Sequence, residues 1–388
     1  MNYEISISNA ANSIKPSGIR KYFDLTSQMK DAISLGIGEP DFITPEEIRN
    51  AGSAALSAGK TKYTSNCGYE PLKEAVSDYL NDRYKLKYNP DDEIVITVGA
   101  SEAIDLAIRA LVDPGDEVII VEPCFVCYTA LVSLTGGVPV SLTTRTEHDF
   151  MVQPEDLEAV ITDKTKAIIF SYPSNPTGAI MTKEALEKLV PILEKHDIVI
   201  ITDEIYSELY YSDEPYTSIA NFPALYEKTI YISGFSKAYA MTGWRLGYLC
   251  ANKTLTAAMA KIHQYLVMSA PTVAQYAAMV AIHNCYDKVL EMRAEYNERR
   301  EFIVDRLNKM GLTCFEPKGA FYCFPSIRST HMSSEEFCDK LLASKKVAVI
   351  PGNAFGDCGE GHIRISYAYS LDIINEAMER MEEFLKEL

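Results

Sequence analysis

A lysine, a serine and an arginine lie at fixed spacing in the segment Ser233–Gly247. Lys237 follows Ser236, and Arg245 comes eight residues later, among mostly small and apolar residues. A lysine amine can form a Schiff base with an aldehyde, and apolar surroundings make it more nucleophilic because they disfavour the ammonium form. A guanidinium and a hydroxyl can hold a phosphate. The segment therefore predicts a site for a phosphorylated aldehyde. The plain alternative is a surface lysine and arginine beside a turn.

A carboxylate follows the apolar run Ile198–Thr202. Asp203 ends this predicted strand, and Tyr206 lies three residues further on. Asp203 could be a helix N-cap, a solvated carboxylate or a magnesium ligand of an ATPase, although the chain has no P-loop to support the last role. The remaining interpretation is a carboxylate that keeps a pyridine nitrogen protonated, so that the ring withdraws electrons from a carbanion.

Two other predicted strand ends also carry polar residues. Gly99-Ala100-Ser101 lies between a strand and a helix, where the backbone N–H groups of a helix start attract phosphate. Ser101 could instead be only an N-cap. Asn175 stands in a Pro-Thr-Gly turn, and its position after a strand favours a ligand contact, because open parallel sheets bind ligands at the carboxyl ends of their strands.

Arg364 lies in a predicted half-buried strand, between Ile363 and Ile365. An arginine fork binds a carboxylate through two parallel hydrogen bonds. This residue is therefore a candidate for holding a substrate carboxylate, and a surface arginine is the alternative.

Cys124 and Cys127 form the single CxxC pair among nine scattered cysteines. A redox pair or half of a zinc site would have this spacing. No second pair and no histidine cluster completes a metal site, so we expect reduced thiols and no metal.

The elements that position these residues alternate between apolar strands and amphipathic helices from about residue 90. Strands are predicted over 93–98, 117–121, 167–170, 198–202, 229–232 and 246–249, and a helix over 101–111. Near-continuous apolar strands separated by helices indicate an α/β fold with a mostly parallel sheet covered on both faces. Long helix over 275–310, followed by strands at 319–324 and 362–367, predicts a second, smaller α+β domain.

The bulk composition narrows the possible partners. The 388 residues carry a net charge of −17, from 37 basic and 54 acidic side chains. Nucleic acids and anionic membranes select for basic surfaces, so neither is expected as a partner. The chain opens without a signal-peptide pattern and contains no apolar run of membrane-spanning length, which predicts a cytoplasmic protein.

Taken together, these motifs resemble the class I/II aminotransferases of the fold-type I pyridoxal-phosphate superfamily. The resemblance covers nearly the whole chain, and some of its sequence segments are similar to those of bacterial aromatic and N-acetyl-diaminopimelate aminotransferases. The matching segments, in the family's order, are Leu35–Phe42, Tyr63-Thr64 with Gly68-Tyr69, Asn175–Gly178, Asp203–Tyr206, Gly234–Gly247, Gly319–Tyr322 and Arg364–Ser366.

The resemblance implies pyridoxal 5′-phosphate as cofactor and assigns roles around its ring. Lys237 forms the Schiff base and then moves the proton. Asp203 pairs with the ring nitrogen, Asn175 and Tyr206 bond the ring hydroxyl, and Phe125 stacks on the ring.

The resemblance also implies a phosphate cup and a carboxylate clamp. The cup comprises Gly99, Ala100, Ser101, Ser236 and Arg245. Gly234 departs from relatives that carry a phosphate-binding serine there. Arg364, the Gly38 loop and Asn175 hold the substrate. Tyr63 is similar to a tyrosine that reaches the neighbouring subunit's phosphate in a homodimer.

The expected enzyme moves an amino group from an L-amino acid to a 2-oxo acid by a ping-pong mechanism. The substrate is expected to be of aromatic, acidic or N-acyl-diaminopimelate type. By analogy with the fold, residues 46–285 form the large cofactor-binding domain, and residues 1–45 with 286–388 form the small domain.

Two alternatives use the same cofactor. A β-elimination lyase or a cyclopropane-forming synthase of this fold would share the cofactor residues. A non-catalytic cofactor-binding regulator usually carries a DNA-binding helix-turn-helix domain, for which this chain has neither the room nor the charge.

Overall fold

The computed structural model describes residues 7–14, 18–27 and 29–388. The N-terminal part holds short elements and two longer helices: α1 (Asn9–Ser13), α2 (Gly18–Ser27), β1 (Ile33–Ser34), α3 (Glu46–Ser57) and α4 (Glu70–Tyr84). Of the helices in these residues, none is both long and apolar enough to cross a membrane.

A seven-stranded sheet forms the centre of the molecule. Its strands are β2 (Ile94–Thr97), β3 (Glu117–Glu122), β4 (Val138–Thr143), β5 (Thr165–Ser171), β6 (Val199–Asp203), β7 (Thr229–Gly234) and β8 (Gly247–Cys250). The order across the sheet is β2-β8-β7-β6-β5-β3-β4. β8 runs antiparallel to both β2 and β7, and the other neighbours are parallel. The mostly parallel sheet of an α/β fold is therefore confirmed.

The edge strand β4 was not predicted from the sequence. Pro139 and Ser141 interrupt its apolar pattern, and three of its six residues are only half-buried. A central strand forms hydrogen bonds with neighbours on both sides, and a proline has no N–H to donate to either of them. An edge strand has a neighbour on one side only and tolerates proline. The strand pairs in parallel with β3 and closes this side of the sheet.

Helices cover both faces of the sheet. They are α5 (Gly99–Leu111), α6 (Cys127–Leu134), α7 (Pro154–Val160), α8 (Lys183–Lys195), α9 (Pro223–Tyr226), α10 (Lys253–Leu266) and α11 (Thr272–Asn284). Ile168 and Ile200 join one buried cluster, and their neighbours Ile169 and Ile201 join another. Successive strand residues thus point into separate cores, which explains the continuous apolar runs.

Helix α5 begins two residues earlier than the sequence predicts. Gly99, with a φ of +75°, turns the chain directly from β2 into the helix. Val98 holds the N-cap position, so the interpretation of Ser101 as the N-cap is wrong. Ala100 and Ser101 instead lie in the first turn, where their N–H groups are free of intrahelical partners.

The C-terminal part contains α12 (Tyr286–Lys309), β9 (Tyr322–Cys323), α13 (Ser334–Lys345), β10 (Val347–Ala348), β11 (Ile350–Pro351), β12 (Ile363–Ser366) and α14 (Leu371–Lys386). Strands β11, β12 and β9 form a three-stranded antiparallel sheet, and β1 pairs in parallel with β10. The N-terminal segment is thereby joined to the C-terminal part.

Three predictions for this part need correction. The helical stretch 275–310 is two helices, because Cys285 leaves the helical conformation with a φ of −120°. The strand predicted over 319–324 keeps only Tyr322–Cys323, since Ala320 has a φ of +56°. β12 is buried along its whole length, so the half-buried strand predicted around Arg364 is wrong.

Candidate active site

A cavity of about 400 Å³ opens at the carboxyl ends of β5 and β6. Ser171 and Asp203, the last residues of these two strands, are register partners in the sheet, and both line the cavity. The remaining lining comes from loops and from the start of α5. Among the lining residues are eleven that the sequence singled out: Gly38, Ala100, Ser101, Phe125, Asn175, Asp203, Tyr206, Ser236, Lys237, Arg245 and Arg364.

Lys237 presents its amine inside the cavity. Its Nζ donates a hydrogen bond of 2.6 Å to the carbonyl oxygen of Gly38. Burial lowers the pKa of Lys237 to about 8, and the positive charges of Arg245 and Arg364 add to that effect, while Glu39 opposes it. The amine is therefore easier to deprotonate than an exposed lysine, as the apolar sequence around it indicated.

Asp203 is a buried carboxylate, so the solvated alternative for it is wrong. Tyr128 donates its hydroxyl proton to Oδ2 at 2.9 Å, and the N–H of Ile205 lies 3.2 Å from Oδ1. Burial raises the pKa of Asp203, whereas these two hydrogen bonds and the charge of Lys237 lower it. Both bonded donors are neutral, so the carboxylate offers its negative charge to a cationic group in the cavity.

Arg364 is 2% exposed, which makes the surface-arginine alternative wrong. Its Nη1 donates to Asn175 Oδ1 at 2.9 Å, and its Nη2 donates to the carbonyl oxygen of Gly36 at 2.5 Å. The buried Nε has no hydrogen-bond partner among the residues that the structure describes. An unpaired N–H on a buried cation is costly, so this guanidinium is arranged for an anion that enters the cavity.

Tyr206 and Tyr322 meet at the same wall. Their hydroxyl oxygens are 2.8 Å apart, and the ring of Tyr322 lies 4.7 Å from the guanidinium carbon of Arg364. The sequence places Tyr322 in the motif Gly319–Tyr322 and indicates no role for it. A Cβ on Gly38 would lie 2.5 Å from the Tyr322 hydroxyl, which explains the glycine in that loop.

The start of α5 and the side chain of Arg245 converge on the opposite end of the cavity. A Cβ on Gly99 would lie only 2.7 Å from Nη2 of Arg245, so only glycine allows this approach. Arg245 Nη1 donates to the carbonyl oxygen of Thr242 at 3.0 Å, and Ser236 is buried beside it. Free N–H groups at a helix start and a guanidinium together favour an anion.

Gly234 occupies a crowded position. It faces Gly247 across the antiparallel pair β7–β8, and a Cβ on Gly234 would lie 2.8 Å from the Gly247 Cα atom. A side chain at residue 234 would therefore push the two strands apart, whereas Ser236, two residues further on, lines the cavity.

Two predicted residues do not line the cavity. Gly99 lies behind it, against Arg245, and Tyr63 stands on the surface with 80% exposure. The sequence also missed residues that do line it, notably Tyr128, Thr242 and Tyr322. Tyr128 comes three residues after Phe125 and packs edge to face against that ring, with 6.0 Å between ring centroids. An aromatic residue one helical turn from Phe125 was the available signal.

The CxxC pair lies beside the cavity without forming a metal site. Burial raises the pKa of Cys124 and Cys127, which keeps both as thiols. Within residues 7–14, 18–27 and 29–388, no group of three or more histidine, cysteine or acidic side chains is arranged to hold a metal ion.

Comparison with known proteins identifies the family. The sequence pattern described as aminotransferase class I and II matches residues 30–381. The chain belongs to this family. The Bacillus subtilis (strain 168) protein YugH is 52% identical over 379 residues, which are 98% of each chain. An aspartate aminotransferase of Pyrococcus abyssi is 43% identical and covers 99% of each chain.

Solved structures agree with this assignment. The aromatic aminotransferase of Pyrococcus horikoshii OT3 superimposes with a TM-score of 0.90 at 42% identity, over 95% of this chain and 99% of that one. The chain is therefore a class I/II aminotransferase with the fold-type I architecture. It moves amino groups between amino acids and 2-oxo acids, and like the rest of the family it depends on pyridoxal phosphate.

The observed cavity fits this cofactor. The buried carboxylate of Asp203 at one end suits a protonated ring nitrogen, and the start of α5 with Arg245 at the other end suits a phosphate. The amine of Lys237 lines the same cavity, where it can reach an aldehyde on the ring.

Proposed function

We propose that this aminotransferase uses Lys237 both as the amine that holds the cofactor and as the base that moves the substrate proton. The observation that carries this proposal is the position of Lys237. Its amine, with a pKa lowered to about 8, shares one cavity with the buried carboxylate of Asp203 and the partly unpaired guanidinium of Arg364. A base with a pKa near the working pH is effective in proton transfer.

Bound pyridoxal phosphate supplies an aldehyde for amine exchange and a protonated ring that withdraws electrons from the substrate α-carbon. Asp203 keeps the ring nitrogen protonated, because an anion next to a nitrogen base favours its charged form. Phe125 packs against the ring, and Asn175 and Tyr206 bind its hydroxyl. Ser236, Ala100, Ser101 and Arg245 would hold the phosphate, and Gly99, which does not line the cavity, leaves room for Arg245 to approach.

Arg364 binds the α-carboxylate shared by the amino acid and the 2-oxo acid. Its Nη1 already bonds Asn175, and its buried Nε has no hydrogen-bond partner among the described residues. The carbonyl of Gly38, which accepts from Lys237, lies on the loop beside this guanidinium. The two substrates take turns at this clamp, which is the basis of ping-pong kinetics.

The substrate side chain meets an apolar wall. Ile19, Ile37 and Phe125 line the cavity and also line an adjoining cavity of about 380 Å³. Among the described residues, the cationic side chains that line the main cavity are Lys237, Arg245 and Arg364, and each already has a role in the proposal. This arrangement supports an apolar or aromatic side chain on the substrate.

An acidic or N-acyl-diaminopimelate-type substrate is the second candidate. Arg20 lines the adjoining cavity and is exposed at its rim, where it lies 3.7 Å from Asp24. A long substrate could reach this guanidinium with a distal carboxylate.

The test of the lysine role is Lys237→Ala in the full-length enzyme, with the exposed Lys261→Ala as matched control. We expect Lys237→Ala to abolish amino transfer and Lys261→Ala to leave it unchanged. Transamination near the unsubstituted rate by Lys237→Ala would refute the assignment. Product release that does not require a 2-oxo acid would instead indicate a β-elimination lyase.

A panel of amino acids tests the side chain. An apolar wall predicts a higher kcat/KM for phenylalanine and tyrosine than for aspartate. A preference for acidic donors that disappears in Arg20→Ala would favour the second candidate.

We further propose a homodimer. Tyr63 is 80% exposed and does not line the cavity of its own chain. The nearby segment Tyr265–Met268 is also exposed and apolar, and Asn66 Nδ2 bonds the carbonyl oxygen of Met268 at 2.7 Å, which joins the two loops. A second copy that covers this surface would bring Tyr63 to the neighbouring phosphate.

The division into a large domain of residues 46–285 and a small domain of residues 1–45 and 286–388 belongs to the same proposal. The pairing of β1 with β10 supports it, because it joins the two ends of the chain. We also propose a cytoplasmic location. All nine cysteines lie in the described residues and are unpaired, as is usual in a reducing compartment.

A further inference from the structure

A buried histidine connects the phosphate end of the cavity to the loop that carries Tyr63. His263 in α10 is fully buried. Its Nδ1 lies 2.8 Å from Glu102 Oε1, and its Nε2 lies 3.0 Å from the carbonyl oxygen of Asn66. Glu102 belongs to the first turn of α5, and Asn66 lies three residues after Tyr63.

Both ring nitrogens of His263 face oxygen atoms that can only accept a hydrogen bond. Through its two ring nitrogens His263 bridges the Glu102 carboxylate and the backbone of Asn66. Movement of His263 would leave a carboxylate oxygen of Glu102 without its partner, so this contact favours a fixed position for Glu102.

The other oxygen of Glu102 holds the backbone at the start of α5. Glu102 Oε2 accepts a hydrogen bond from the N–H of Val98, the residue that precedes Gly99. The carboxylate therefore fixes the turn from β2 into α5 just before the N–H groups that face the phosphate. His263 sets the position of this carboxylate from behind.

The loop has a second support that does not touch α5. Gln275 is fully buried; its Nε2 donates to Thr64 Oγ1 at 3.0 Å, and its Oε1 accepts from the N–H of Tyr69 at 2.7 Å. Among the contacts that hold this loop, the one made by His263 reaches the first turn of α5 through Glu102.

We propose that His263 is a positioning residue for the cofactor phosphate and acts through Glu102. It fixes the first turn of α5 in its own subunit, and through Asn66 it fixes the loop that presents Tyr63 to the neighbouring subunit. The inference rests on the proposed phosphate site at α5 and Arg245.

The test compares two ligands on the apoenzyme. Pyridoxal phosphate and pyridoxal share the ring and the aldehyde and differ in the phosphate, so their dissociation constants separate the two ends of the site. The variants are His263→Gln and the milder Glu102→Gln, which keeps the size of the side chain. Thr256→Val is the matched control. Thr256 lies in α10, like His263, and the substitution removes the buried hydrogen bond of 3.0 Å that its hydroxyl donates to the carbonyl oxygen of Ala251.

We expect both variants to weaken binding of pyridoxal phosphate about tenfold, as the loss of a hydrogen bond to a charged group predicts, with little change for pyridoxal. The double variant should lose less than the sum of the two single variants, since the two residues share one contact. Thr256→Val should change neither constant. If His263→Gln folds poorly, Glu102→Gln carries the test alone.

Equal weakening of both ligands would show a general structural role and overturn the proposal, and so would unchanged binding of pyridoxal phosphate. Arg245→Ala distinguishes the two levels of the argument. If Arg245→Ala does not selectively weaken pyridoxal phosphate, the phosphate site itself is wrong. If Arg245→Ala has that effect and Glu102→Gln does not, only the role of His263 is wrong.

Discussion

Tyr128→Phe is the most informative change in the cavity, because it removes one proton donor and leaves the ring in place. The Tyr128 hydroxyl is 2.9 Å from Asp203 Oδ2 and 2.9 Å from Ser171 Oγ. A hydroxyl has one proton, and the carboxylate can only accept, so Tyr128 donates to Asp203 and Ser171 donates to Tyr128. In the variant, Asp203 keeps only the N–H of Ile205 at 3.2 Å.

The size of the effect follows from this contact. A hydrogen bond to a charged group contributes about 1.5–3 kcal/mol, and about 1.4 kcal/mol corresponds to a tenfold change. In the proposed mechanism the ionised carboxylate of Asp203 keeps the cofactor ring protonated. We therefore expect kcat/KM to fall by at least about tenfold. The KM for the amino acid should change little, because Arg364 still binds its carboxylate.

The pH dependence has a defined direction. Burial raises the pKa of Asp203, and the Tyr128 hydrogen bond lowers it. Removal of that bond raises the pKa further, so the carboxylate becomes protonated at a higher pH. The acid limb of the kcat/KM profile should therefore move to higher pH in Tyr128→Phe, as steady-state assays across pH would measure.

Tyr231→Phe is the matched control. Tyr231 is fully buried, and its hydroxyl has no hydrogen-bond partner among the described residues. Loss of that hydroxyl should leave activity and its pH profile unchanged and should not destabilise the fold. If Tyr128→Phe retains full kcat/KM with an unshifted acid limb, the hydroxyl does not support the Asp203 carboxylate and the reasoning fails.

Three further changes probe other contacts. Gly99→Ala places a Cβ 2.7 Å from the Arg245 guanidinium at a φ of +75°, so binding of pyridoxal phosphate, measured by titration of the apoenzyme, should weaken about tenfold. Arg364→Lys cannot make the paired contacts of a guanidinium, so the KM for the amino acid should rise about a hundredfold with a smaller change in kcat. Burial raises the pKa of Glu204 from 4.5 to about 7, so the folded state binds the proton more tightly than the unfolded state. The free energy of unfolding of the wild type should therefore fall by on the order of 3 kcal/mol as the pH rises from 4.5 to 7. Glu204→Gln should flatten this pH dependence in urea unfolding.

Each of these changes has a control or a contradicting result. Gly59→Ala, at a φ of +70° with open space around it, should cost stability and leave cofactor binding intact. A loss of cofactor affinity in Gly59→Ala would mean that backbone strain alone explains Gly99→Ala. For a transamination substrate without the α-carboxylate, the KM should be the same in Arg364→Lys and in the wild type. A stability slope between pH 4.5 and 7 that persists in Glu204→Gln would assign the proton to another group.

Much of the fold could be predicted because the relevant pattern is local. Each strand of the seven-stranded sheet except β4 is a short apolar run bounded by polar or turn residues, and both faces of the sheet are buried, which produces runs without alternation. β4 was not predicted because it contains Pro139 and most of its residues are partly exposed. The break at Cys285 and the turn at Ala320 depend on backbone angles that the local sequence does not determine.

The sequence alone determined the chemical groups of the site. Lys237, Asp203, Asn175 and Arg364 stand in motifs whose residue types and order already indicate the cofactor and the reaction. Such motifs are short, and their chemistry is carried by single side chains. The structure places these four side chains around one cavity, and their roles in catalysis stay a prediction.

Only the tertiary structure decided how these groups are supported. Tyr128 meets Asp203 across 75 residues, Arg364 meets Asn175 across 189, and His263 meets Glu102 across 161. Contacts of this kind depend on which strands lie next to each other and on how helices pack over them. No local pattern records them, because the energy that selects them comes from burial and hydrogen bonding in the folded chain.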